Sequence, residues 1–279
     1  MLKAADLAPC RPTTACKICG GIAPLYGVAD FNKSCEELRG RYLPLLGIPV
    51  YYHRCESCGL VFTEALDAWQ KADYRKHIYD DRYIEVDPDY AEARPREYAG
   101  IVRAFLQGRP SVRHFDYGGG NGRLAALLRA EGVDASTWDP MVEGEQPPAG
   151  RFDLVTAFEV FEHTPVPNGT LQEMLGFCDA ATPLIFFSTY TIDKVRSRSM
   201  DFWYLSPRNG HVTIHTESSL RALATRADLR MHHFGNGFHL AYRSLPSWVD
   251  LELFEKLHRQ GGIRGAIARL IRALRSARA

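Results

Sequence analysis

A chain of 279 residues is long enough to bury a sizeable core and holds one or two domains. Its hydrophobic share of 46% and charged share of 24% are ordinary for a soluble globular protein, and no apolar run approaches the length of a membrane span, which excludes a transmembrane helix. The formal net charge of +1 gives no electrostatic reason to expect a nucleic acid or another polyanion as partner.

Met1 to Arg11 has no apolar core of the signal-peptide kind, so the chain is expected to be cytoplasmic. Its seven cysteines are then expected to be thiols or metal ligands rather than disulfides. Four of them form two pairs, Cys16-x-x-Cys19 and Cys55-x-x-Cys58, each followed by glycine, Gly20 and Gly59. A metal knuckle turns backbone N–H groups toward thiolate sulfur and needs a permissive residue after its second cysteine. The two pairs are read as one Cys₄ site that is structural, since four protein ligands leave no open position for water. Zinc fits this set, and iron in a rubredoxin-like site has the same spacing. Val50-Tyr51-Tyr52 leads as a strand into the second knuckle, and Leu60-Val61-Phe62 is its partner, which places a small zinc-ribbon-like module at residues 10–65. Cys10, Cys35 and Cys178 are read as ordinary thiols.

Residues 66–108 form a helical, tyrosine-rich connector, ending in an apolar face of Ile101, Val102, Phe105 and Leu106. An apolar strand, Val112 to Phe115, follows and runs into Asp116-Tyr117-Gly118-Gly119-Gly120-Asn121-Gly122, after which Leu124 to Leu128 continues at helical spacing. The result is a strand, a tight turn and a helix whose free N–H groups point into the turn. A dinucleotide fingerprint would need glycine at Arg123, and a phosphate loop would need Gly-Lys-Ser/Thr, which is absent. A carboxylate at the strand end repels a pyrophosphate but suits a ligand with a cationic amino group, such as S-adenosylmethionine (SAM).

The motif Asp116 to Gly122 resembles the first motif of the class I SAM-dependent methyltransferases. Trp138-Asp139-Pro140 is similar to that family's second-strand acid, and Phe152 to His163 to its fourth strand and the loop beyond. The resemblance implies an α/β fold, a Rossmann-like, mostly parallel sheet with an antiparallel last strand, at residues 109–245. It implies cofactor contacts from Asp116, Gly118, Gly120 and Asn121, from Asp139 on the ribose, from Met141 near the adenine, and from Phe158, Glu159 and Tyr83. One stretch departs from the family: Met141 to Gly150, with Pro147 and Pro148, is too short for a third strand and helix, so the sheet is expected to be trimmed there. Leu184 to Phe187 reads as a strand buried on both faces, Thr216 as a helix cap, and Gly235-Asn236-Gly237 as the turn of a closing hairpin in which Phe238, Leu240 and Tyr242 alternate.

Thr189 to Thr216 lies after the fifth strand, at the carboxyl edge where ligands of open α/β sheets bind. Methyl transfer is an in-line attack that can require a base, and imidazole titrates near neutrality. His211, in Asn209-Gly210-His211, and His163 are the catalytic candidates. Asn209 and Gly210 suggest an exposed turn, with Asn209 or a tyrosine orienting His211. A cysteine module ahead of such a fold resembles the zinc-containing sugar C-methyltransferases, which implies a small-molecule acceptor such as a nucleotide-linked sugar. RNA or protein methylation, or a non-catalytic SAM- and zinc-binding module, stand as alternatives. Residues 246–279 read as an amphipathic tail with Ile263, Ile267, Leu270, Ile271 and Leu274 on one face and arginines around it. Oligomeric state is not legible.

Overall fold

The computed structural model describes residues 2–107, 109, 111–194, 200–235 and 237–260. In chain order these hold β1 (Thr13–Ala15), β2 (Ile22–Asp30), β3 (Pro49–Arg54) and β4 (Val61–Thr63), then α1 (Lys71–His77), α2 (Tyr83–Val86) and α3 (Ala93–Leu106). Next come β5 (His114–Tyr117), α4 (Arg123–Arg129), β6 (Ala135–Trp138), β7 (Leu154–Phe158), α5 (Pro167–Leu175) and β8 (Leu184–Ser188). The last are β9 (Thr213–Ile214), α6 (Glu217–Arg226), β10 (Arg230–Gly235), β11 (Phe238–Tyr242) and α7 (Leu251–Gln260). One sheet has the strand order β1-β2-β3-β4-β9 and the other β10-β11-β8-β7-β5-β6. The chain divides into two compact units, each discontinuous in sequence: Met1–Pro88, Glu159–Glu173 and Phe187–Ala241 in the first, and Asp89–Phe158, Met174–Phe186 and Tyr242–Ala279 in the second.

In the first unit β3 and β4 pair antiparallel, with His53 opposite Phe62, as the two apolar runs around the second cysteine pair predict. The far edge of β4 is taken by β9, Val61 opposite Ile214 and Phe62 opposite Thr213. The expected boundaries at 10–65, 66–108, 109–245 and 246–279 therefore do not coincide with the compact units. The reason is physical: β4 is buried at all three positions, and an apolar edge strand of a module this small needs a partner from elsewhere in the chain. Thr216 caps α6 as expected, its hydroxyl oxygen accepting the Ser219 N–H at 2.9 Å. β11 departs from alternation: Phe238, His239, Leu240 and Ala241 are all buried, so this strand is covered on both faces. Of the expected turn, Asn236 lies outside the described residues, as do the apolar face and arginines of the expected C-terminal helix.

In the second unit β5 is the inner strand and pairs in parallel with both β6 and β7. Residues 139–153 form no strand, and β6 stands last in the order, which is the trimming that Pro147 and Pro148 imply. α3 buries the predicted face of Ile101, Val102, Phe105 and Leu106. Phe105 stacks on Phe186 with ring centroids 4.9 Å apart and meets Phe254 of α7 edge-on at 5.1 Å.

Candidate active site and metal centre

The glycine loop closes β5 onto α4. Gly118, Gly120 and Gly122 all have left-handed φ of +72°, +54° and +70°, a conformation that side chains other than glycine resist. Gly119 is needed for a different reason: a Cβ there would stand 2.1 Å from Thr137 Oγ1 and 2.6 Å from Asp116 Oδ2. Gly120 by contrast opens onto free space, with no atom within 4 Å of its Cβ position. Asn121 ties the loop down, its amide donating to the Ala91 carbonyl and its Oδ1 accepting the Arg123 N–H, each at 3.1 Å.

Asp139, just past β6, accepts the Gly120 N–H on Oδ2 at 2.9 Å and the Met141 N–H on Oδ1 at 2.7 Å. Each oxygen keeps a second lone pair for another donor. Asp116 is buried, 3% exposed, beneath the loop. The register sets it opposite Thr137 on β6 and Thr156 on β7, and the Thr156 hydroxyl donates to its Oδ1 at 2.9 Å. With its proton given to Asp116, Thr156 Oγ1 accepts from Nε2 of the buried His114 at 2.8 Å. Burial holds His114 down to about 3, so this imidazole is neutral. Burial pushes Asp116 up to about 7; the Thr156 hydrogen bond opposes this and the Asp139 charge adds to it. Thr137 Oγ1 is buried without a hydrogen-bond partner. His114, Thr137 and Thr156 were missed from sequence; the only signal for them is that each is a polar residue on a short strand with an apolar neighbour. Phe158, ending β7, stacks on Tyr98 at 4.4 Å.

The first unit holds the remaining predicted residues. Cys16, Cys19, Cys55 and Cys58 place their four sulfurs within 4.8 Å of one another, with Cys16–Cys58 at 3.6 Å and Cys19–Cys55 at 3.4 Å. A tetrahedron with zinc–sulfur bonds of about 2.3 Å has edges of about 3.8 Å, so the set fits one ion. Gly20 and Gly59 take φ of +75° and +74° as knuckle glycines should. Cys10 is exposed and Cys178 buried, both apart from this set.

His163 and His211 are brought together, ring centroids 4.8 Å apart, and Glu162 joins them: one ligand atom from each of the three lies within 4.8 Å of the others. The exposed turn expected around His211 is not found, since Asn209 is 2% and His211 4% exposed. Asn209 does not orient His211 either. Its side chain accepts the Cys35 N–H at 2.9 Å and donates to the Val86 carbonyl at 3.0 Å, which is what lets this turn be buried. Orientation comes from Tyr204, whose backbone carbonyl lies 2.7 Å from His211 Nδ1. Tyr83 packs edge-on against Tyr79 at 5.1 Å and points its hydroxyl to Asp87 at 3.5 Å, while the Tyr79 hydroxyl lies 3.4 Å from His163 Nδ1. Glu159 takes a left-handed φ of +54°, a strained backbone for a non-glycine residue, and its Oε1 accepts the Ser188 hydroxyl at 2.7 Å. Glu162 is wholly buried; burial and then the Glu159 charge raise it well above the usual carboxylate range.

In this α/β fold a buried strand-end carboxylate, Asp116, lies under a glycine turn, with a second acid, Asp139, just past the end of the neighbouring strand. The methyltransferase-domain family model matches residues 90–233, just over half of the chain, and the chain belongs to that family. The mitochondrial ubiquinone biosynthesis O-methyltransferase of Saccharomyces cerevisiae is 26% identical over a stretch covering 40% of this chain and 45% of the yeast protein. The chain thus spans less than half the length of that relative. Among solved structures, magnesium protoporphyrin IX methyltransferase from Synechocystis PCC 6803 with bound SAH is similar at a TM-score of 0.46 and 16% identity, over 62% of this chain and 97% of that one. The plantazolicin methyltransferase BpumL in complex with SAH is similar at 0.45 and 14%, over 71% and 89%.

The Asp116 environment yields a pH signature. Because the folded state holds this proton up to about 7 against an ordinary value of 3.8, the wild type loses stability as pH rises between those values. Asp116→Asn abolishes that loss, so its stability relative to wild type should climb by at most about 1.4 kcal/mol per pH unit across the window and level off above it. Urea unfolding of both proteins at several pH values checks this, and a pH-independent difference would contradict it.

Proposed function

We propose that the chain transfers the methyl group of SAM to a small-molecule acceptor, with a sugar or nucleotide-linked sugar as the acceptor class to which the sequence resemblance points. One observation carries the cofactor reading. Asp116 and Asp139 stand at the ends of adjacent parallel strands; burial first, and then the charge of the second, raise the first, and a cationic ligand relieves that repulsion where a pyrophosphate would aggravate it. The residues present fit SAM: the loop backbone is open at Gly120, Asp139 is held with lone pairs to spare, and Thr137 has a hydroxyl without a partner. Placement of the yeast relative in ubiquinone biosynthesis supports a small-molecule acceptor over a nucleic acid.

When bound, SAM supplies a methyl group on a sulfonium centre. In this reading Asp116 provides the negative field at the methionine amino end through the loop that it underlies. Asp139 binds the ribose hydroxyls, Gly118, Gly120 and Asn121 shape the loop, and Met141 and Phe158 border the adenine. Glu159 and Tyr83 complete the cofactor set. At the acceptor end His211 takes the proton, with His163 beside it as the second candidate. Donation from His211 Nδ1 to the Tyr204 carbonyl puts the basic lone pair on Nε2. The four-cysteine site holds a structural zinc ion that stabilises the strands around it, because in such small modules metal-binding energy is folding energy.

Calorimetry tests the cofactor assignment. Asp139→Ala should weaken SAM binding by about 1.5–3 kcal/mol, the range for hydrogen bonds to a charged group. A wild type that binds NAD and ignores SAM would sink the reading. Methyl transfer from labelled SAM into fractionated small molecules, RNA and protein identifies the acceptor class. His211→Ala should lower turnover by roughly 10²–10⁴-fold with SAM affinity intact; a folded variant with normal turnover removes His211 from the mechanism. Elemental analysis of protein purified without added metal should find one zinc per chain, lost together with thermal stability on Cys55→Ser. Stoichiometry near zero with freely reactive thiols in the folded chain refutes the zinc site, and iron in its place would correct the metal.

A further inference from the structure

We propose that Glu162, His163 and His211 form a second metal site, open where the four-cysteine site is closed, which takes a divalent cation of the manganese–zinc class. The three side chains come from two separate segments and converge, one ligand atom from each lying within 4.8 Å of the others. Glu162 has 0% exposure, its Oε1 accepts the Tyr204 hydroxyl at 2.5 Å, and its Oε2 has no hydrogen-bond partner. No lysine or arginine pairs with it among the described residues. A buried carboxylate with one bare oxygen needs a proton or a cation.

The surroundings favour the cation. Tyr204 grips two of the three ligands at once, through its hydroxyl on Glu162 and its carbonyl on His211 Nδ1. A histidine that donates one ring N–H to a backbone carbonyl has the other nitrogen committed as a lone-pair donor, which is how protein metal ligands are oriented. The His163 ring stands at 79° to that of His211 and has the Tyr79 hydroxyl 3.4 Å from its Nδ1. Glu159, whose backbone is strained, adds a second carboxylate whose charge acts on Glu162. Two imidazoles and a carboxylate suit borderline divalent ions, and three protein ligands leave a position for an oxygen of the acceptor.

Its role rests on the methyl-transfer reading above; the binding does not. With the cation bound, His211 is a ligand rather than the base, and an acceptor hydroxyl is activated by coordination. The O–H bond breaks with the proton passing to water, the oxygen pair forms the O–CH₃ bond, and the S–CH₃ pair stays on sulfur as a neutral thioether. The acceptor atom is then an oxygen.

Manganese alone is the probe. The full chain, carrying its cysteine-site metal, is titrated with Mn²⁺ and the free ion followed by electron paramagnetic resonance; Mn²⁺ prefers oxygen and nitrogen to the thiolates of the other site. One saturable Mn²⁺ per chain is expected, displaced by Zn²⁺, with affinity at least about 10–100-fold weaker in Glu162→Gln and in His163→Ala, since even outer-shell changes cost that much. The glutamine variant keeps an acceptor for the Tyr204 hydroxyl, and the half-buried His163 is the milder substitution, so one folded variant suffices. Absence of saturable binding, or equal binding in folded variants, overturns the site and makes Glu162 a protonated hydrogen-bond donor. Methyl transfer at full rate in chelated protein would overturn the site's role and leave the methyltransferase reading standing. Mn²⁺ binding without methyl transfer to any fraction would do the reverse.

Discussion

Parallel pairing of β5 with both of its neighbours is the constraint on which the cofactor end depends. Parallel ladders fix register along their whole length, so the same pairing that buries Phe115 and Leu154 sets Asp116 level with Thr137 and Thr156. The acid cannot face solvent in that position and must be satisfied from within. Thr156 supplies the hydrogen bond, His114 completes the chain behind it, and the glycine loop lies so close above that no Cβ fits at Gly119. The turn is therefore tied to the strands beneath it by contacts within the chain.

The first unit solves a different problem. A ribbon with two cysteine knuckles has little core, and its strand β4 is buried at all three positions. Pairing with β9 covers that edge, and the Thr216 hydroxyl fastens the second knuckle by donating to the Cys58 carbonyl at 2.6 Å. Val212, beside His211, donates its N–H to the Glu162 carbonyl at 2.8 Å, and the Thr213 hydroxyl donates to that of Phe161 at 2.6 Å. The segment that carries His211 and the segment that carries Glu162 and His163 are thus joined backbone to backbone by the strand that completes the cysteine-bearing sheet.

Sequence alone determined what depends on short spacing and local conformation. The two cysteine pairs with their glycines, the glycine turn after an acid, the apolar face of α3, the Thr216 cap and the loss of a strand around Pro147 and Pro148 are each local, governed by a few residues and their backbone preferences. Tertiary structure alone decided what depends on register and on contact between distant segments. It buried Asn209 and His211, because Cys35 and Val86 supply partners that no turn propensity foretells. It aligned Thr137 and Thr156 on Asp116, paired β4 with β9, and brought Glu162 and His163 to His211. A side chain's neighbours across a sheet or a buried turn are fixed by the packing of the whole unit, and that information is spread over the chain rather than written beside the residue.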